Sequence, residues 1–228
     1  MSALTIRNIT LVENVTFPIL FNLHKTKQMK RHKDFFQIAD ELFDFKNLTN
    51  IPFCTDREKG ITECIKSLGL KLVLCTSHIK LDVKRWVAKK KSKNLISNFE
   101  GKKLIDLIEA LISSEEKVDF ISHIEKFNSI NNNNVIRNYL NSGLIEDIEK
   151  YSAKFNIDEF NVFDGKSVTS NQSESMNYIF KSIVNWKSNT PDIMCLIFYY
   201  LQNYYLNEFS RASRQLGNYH INSYYSNK

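Results

Sequence analysis

Asp56 stands in the run Phe53-Cys54-Thr55-Asp56-Arg57-Glu58, where a short apolar segment gives way to a helical one. A carboxylate at the carboxyl end of a strand in an α/β sheet is where ligands and metals gather. The same position also suits a helix cap, because an aspartate there accepts backbone N–H groups. Both readings are open from this segment alone. Glu174 sits in Thr169-Ser170-Asn171-Gln172-Ser173-Glu174-Ser175-Met176-Asn177. Asn171 followed three residues later by Glu174 makes a variant of the capping box. The functional alternative is that Glu174 points from the first turn of a helix into the pocket of Asp56. Cys75 and His78, in Cys75-Thr76-Ser77-His78, have the spacing of half a zinc site. No CxxC and no HxxxH follows, so the expectation is a pair packed at a strand-to-helix turn.

Two further groups could meet a polyanion. Between Lys80 and Lys103 there are nine basic and two acidic residues, with Lys84, Arg85, Lys89, Lys90 and Lys91 at the centre. Residues 104–160 reverse the balance, with five basic and eleven acidic. A basic stretch in a chain of net charge +6 suits nucleic acid, or it is the lysine-rich solvent face of a helix. Phe198, Tyr199, Tyr200, Tyr204, Tyr205 and Phe209 form an aromatic series. Such rings can stack on single-stranded bases, although at helical spacing core packing is the expected role.

The chain that carries these residues has 228 positions, enough for one core or for one core with an inserted lobe. Its 43% hydrophobic and 25% charged content is that of a globular protein. The longest strongly apolar run, residues 193–201, is too short to span a bilayer, and no secretory signal pattern is visible at the N-terminus. Cys54, Cys64, Cys75 and Cys195 show no paired spacing and are expected to be reduced thiols.

Periodicity predicts strands at residues 4–12, 17–23, 51–54 and 70–75. It predicts helices at 26–45, 57–67 and 77–93, the first with Phe35, Phe36, Ile38, Ala39, Leu42 and Phe43 on one broad face. The order β-β-α-β-α-β-α points to a mixed sheet with helices packed on it. Strand signals then stop. Residues 101–113, 117–128, 134–140 and 144–155 read as helices, with Asn131 to Asn134 as a polar connector. A loop at 165–172 precedes closing helices at 173–186 and 191–209, the latter with Pro191 in its first turn. The expected domains are a strand-and-helix region at 1–94, an all-helical insertion at 95–160, and C-terminal helices at 161–228 that complete the core.

Taken in order, these pieces resemble a transposase of the Mutator-like elements. Residues 17–27 are similar to that family's third strand and the start of its first helix. Thr55-Asp56-Arg57-Glu58 resembles its second catalytic aspartate, and Leu74-Cys75-Thr76-Ser77-His78 its CxxH signature, continued by Asp82-Val83-Lys84-Arg85-Trp86. Residues 169–177 resemble the T-N-x-x-E-S-x-N segment with the last catalytic glutamate. Tyr204-Tyr205-Leu206-Asn207-Glu208 and Leu216-Gly217-Asn218-Tyr219-His220 resemble the segments after it. The likeness covers most of the chain and is weakest in the helical insertion.

The resemblance implies a ribonuclease H-like α/β fold with a DDE triad, in which Asp56 is the second acid and Glu174 the third. It implies Mg²⁺ (or Mn²⁺) held by these two carboxylates. Two such ions, ~3.5–4 Å apart, stabilise the attacking and leaving oxygens at a scissile phosphate. The implied partner is DNA in the nucleus, with a homo-oligomer in view and with no membrane and no small-molecule substrate. The family's first catalytic aspartate lies on a strand preceding the segment similar to residues 3–12. That central strand has no counterpart here, which leads to the expectation of a truncated, transposase-derived protein that is inactive alone, or of a strand supplied from elsewhere. The alternative is a domesticated, non-catalytic DNA-binding or adaptor protein that uses the basic residues Lys84, Arg85 and Lys89 to Lys91.

Overall fold

A computed structural model describes residues 2–7, 10–12, 16–22, 29–47, 51–157 and 171–223, with Ser2, Arg7, Met29, Lys46 and residues 171–174 described by backbone alone. The protein is mixed α/β, with helices predominating. Two compact units are formed, one from Met1–Arg31 with Asn171–Lys228 and the other from His32–Ser170.

In the first unit β1 (Ser2–Arg7) pairs antiparallel with β2 (Thr16–Asn22). The register slips between Leu4 and Thr5, where Thr5 faces Pro18. Proline cannot donate to a ladder, so irregular pairing falls beside it. The Ile19 carbonyl in the slipped stretch accepts the Gln202 side-chain amide at 3.0 Å. Gln202 lies on α10 (Pro191–Ala212), which starts from Thr190 with Pro191 in its first turn, as the sequence predicts. With α9 (Asn171–Ile183) and the strands it encloses a core of Leu11, Phe17, Met176, Leu201, Tyr205 and Ala212. Leu11, expected inside a long first strand, instead forms an isolated bridge to Ile221.

In the second unit β3 (Phe53–Thr55), α2 (Lys59–Ser67) and β4 (Leu72–Leu74) make a β-α-β unit with parallel strands. All three residues of β4 are buried, as befits a strand covered on both faces. From α1 (Met29–Phe43), Phe36 meets Phe53 edge-on, as does Phe45 from the short 3-10 turn that follows. Phe35, Phe36 and Ala39 are buried, whereas Ile38, Leu42 and Phe43 of the expected face are exposed.

The remaining elements up to residue 157 are helical and belong to this same unit. α3 (Thr76–Lys91) buries Thr76, Ile79, Val83 and Val87. α4 (Asn98–Ser113) buries Leu104, Leu107, Ile108, Leu111 and Ile112, one face at helical spacing. Each such side chain contributes about 1.5–3 kcal/mol on burial. α4 begins three residues before its expected start, because Ser97 and Glu100 form a full capping box. α5 (Lys117–Ile130), α6 (Asn134–Tyr139), a π-like segment (Leu140–Leu144), α7 (Ile145–Tyr151) and α8 (Lys154–Ile157) complete the unit. The π-like segment turns at Gly143, whose φ of +91° is left-handed and suits glycine. The helix expected over 144–155 breaks at Ser152, whose buried hydroxyl reaches the Leu74 carbonyl at the end of β4. The polar connector is also more than a link: the Asn133 amide joins the Leu95 carbonyl to the Glu100 carboxylate.

Candidate functional site

The parallel register sets the site. Thr55 is level with Leu74, and the N–H of Cys75 donates to the Thr55 carbonyl at 2.8 Å. Asp56 and the Cys75–His78 segment therefore leave the sheet side by side at its carboxyl edge. Asp56 is half-buried. One of its carboxylate oxygens, Oδ1, accepts the N–H of Glu58 at 3.2 Å, closing an Asx turn. The N-cap of α2 is Glu58 itself, so Asp56 shapes the loop ahead of the helix rather than capping it.

Two contacts pin this loop. Arg57 donates through Nε (3.0 Å) and Nη2 (2.6 Å) to Asp147 on α7. Glu58 meets the buried His32 of α1 at 3.2 Å. Asp56 is thus flanked by residues that tie its loop to two separate helices. The partners are 90 and 26 residues away, and nothing in the sequence marks them.

Cys75 is fully buried and serves as the N-cap of α3, without a side-chain cap bond. His78 lies half-exposed in the first turn of α3. Cys54, on β3, lies close by. Burial pushes its thiol far above the ordinary cysteine range, and the neighbouring Cys75 and Asp56 add to the effect. Among the described residues no three His, Cys, Asp or Glu side chains gather as a metal cluster. Asp56 still offers a hard-oxygen donor of the kind Mg²⁺ prefers: among the described residues its Oδ2 has no hydrogen-bond partner. Glu174 stands in the first turn of α9, in the other unit, and its side chain lies outside the described set. The capping-box reading of Asn171 and Glu174 falls outside it as well.

The basic residues lie on α3 away from that edge. Lys84, Arg85, Lys89 and Lys91 are exposed. Arg85 approaches Asp82 at 3.6 Å, and Lys90 sits over the Trp86 ring, which stacks on Tyr139 at 4.1 Å. Lys89, Lys90 and Lys91 occupy the last turn of α3, where cations complement the helix dipole. The aromatic series divides. Phe198 stacks on Phe21 at 4.1 Å and Tyr205 meets Phe17 edge-on, both in the core. Tyr199, Tyr200 and Tyr204 are exposed.

Among the described residues no helix is long and apolar enough to cross a membrane. In comparisons with protein-family models, with curated proteins and with solved structures, nothing matches the chain.

Proposed function

We infer that the protein derives from a DDE transposase of the Mutator-like type, with a ribonuclease H-like core, and that its partner is DNA in the nucleus. The reading is carried by one observation. The two segments that resemble the family's second-aspartate and CxxH motifs emerge together at the carboxyl edge of a parallel strand pair, the edge where α/β folds place their ligands. Asp56 then acts as a metal-holding carboxylate, oriented by the Glu58 N–H and by a loop that Arg57 and Glu58 anchor. The resemblance implies the same metal-holding role for Glu174 of the other unit. Bound Mg²⁺ or Mn²⁺ would supply Lewis-acid stabilisation of charge at a scissile phosphate. The chain's own residues hold the acid at the strand end and tie its loop to α7 and α1.

The test is Mn²⁺ binding followed by electron paramagnetic resonance with duplex DNA present. Wild type is expected to bind the ion, Asp56→Asn and Glu174→Gln to lose most of that binding, and all three to hold DNA equally. Unchanged Mn²⁺ binding in Asp56→Asn refutes the assignment, as does loss of DNA binding in that variant. A second reading, a non-catalytic DNA-binding or adaptor protein, is favoured by the exposed cations of α3.

A further inference from the structure

Several cations of the second unit are matched by carboxylates. Arg57, Lys66, Lys80, Lys117, Lys150 and Lys154 each form an ion pair. From the C-terminal half of α3 to the second turn of α4, unmatched cations are gathered along one short stretch of chain. Lys84, Lys89, Lys91, Lys93 and Lys102 are all exposed, and none has an ion-pair partner among the described residues. The helices are held together here by close approach: Gly101 of α4 lies against Val87 of α3, and a Cβ on it would come within 2.7 Å of Val87 Cγ1. That crossing sets Lys102 beside the end of α3.

We propose that this surface binds the phosphate backbone of duplex DNA, apart from the Asp56 edge. The inference rests on DNA being the partner, which both readings above share. Lys84 and Lys91, two turns apart, are separated by ~10 Å along the helix, the length of about three phosphate steps on one strand of a duplex. Lys89 lies ~20 Å along α3 from Thr76 at the strand-end site, so DNA held here flanks the segment that meets Asp56. Base stacking has little to work with on this face. The Trp86 ring is already stacked on Tyr139 and covered by Lys90, and the exposed Phe99 ring lies under Lys103 at 4.2 Å. The contact is therefore to phosphates, without regard to sequence.

Duplex affinity measured against salt decides it. If the five unpaired lysines each meet a phosphate, log K falls with log salt at a slope of about −4 to −5. Reversing Lys84, Lys89 and Lys91 to Glu together should flatten the slope by about 3 and weaken binding on the order of 100-fold at 0.1 M salt. Reversing Lys33, Lys126 and Lys150, exposed lysines elsewhere in the unit, applies the same charge change and should have a much smaller effect. Circular dichroism verifies that both variants fold. Equal losses in the two variants, undetectable duplex binding by wild type at low salt, or tighter binding of single-stranded than of duplex DNA overturns the proposal. Loss in the α3 variant with Mn²⁺ binding absent from wild type sinks the transposase reading and leaves this surface standing.

Discussion

Gly101→Ala isolates the contact that fixes α4 against α3. Gly101 is buried in the first turns of α4, and an added Cβ would lie 2.7 Å from Val87 Cγ1, with Lys91 Cδ at 3.6 Å and Ile96 Cδ1 at 3.8 Å. Only the first distance is too short. Valine is stiff at χ1 in a helix and Val87 is itself buried, so the helices must part. Overpacking of this kind costs about 1–3 kcal/mol. The gain in helix propensity from glycine to alanine offsets up to about 1 kcal/mol. The net expectation is a loss of about 1–2 kcal/mol. In a Val87→Ala background the close atom is gone and the remaining neighbours are at ordinary contact, so there the same change should be neutral or stabilising by up to about 1 kcal/mol. Urea unfolding followed by far-UV circular dichroism measures both. With a slope of about 2 kcal/mol per molar, the midpoint in the wild-type background should fall by about 0.5–1 M. An equal effect of Gly101→Ala in the two backgrounds would falsify the account, because the penalty would then owe nothing to Val87.

Glu208, 2% exposed, accepts the Asn218 N–H at 3.0 Å and pairs with Arg211 at 2.8 Å. Glu208→Ala should cost about 1–3 kcal/mol through the two charge-assisted hydrogen bonds it removes and speed amide exchange over residues 218–222; retained protection there counts against its role as anchor of the tail. The Glu100 carboxyl is held below the usual glutamate range by the Ser97 N–H, then by the Asn133 amide and the Ser97 hydroxyl. A lowered folded value means that its stabilisation is present above the ordinary glutamate range and is lost as pH falls through the lowered value. Glu100→Gln should therefore reduce stability at neutral pH and flatten its fall on acidification. Parallel curves for the two proteins contradict that origin.

Much of the local architecture was legible in the sequence. The stripe from Leu104 to Ile112 announces α4, Pro191 announces the start of α10, and an apolar run ending before Asp56 announces a strand with an acid at its end. Each of these signals is local: spacing and capping chemistry act within one element. Ser97-x-x-Glu100 was readable by the same rule and gives the true start of α4. The clustering of lysines near the end of α3 was visible as well. Their lack of carboxylate partners was not, because the acidic residues of 104–160 had to be placed first. The same holds for Arg57 with Asp147, for His32 with Glu58, and for Cys54 close to Cys75. On α10 the periodicity showed a helix rich in rings, but only packing decided that Phe198 and Tyr205 are buried and Tyr199 and Tyr200 exposed. A sequence fixes the direction of each side chain about its own helix or strand. What stands opposite that side chain depends on chain segments tens of residues away, and only the tertiary structure brings them there.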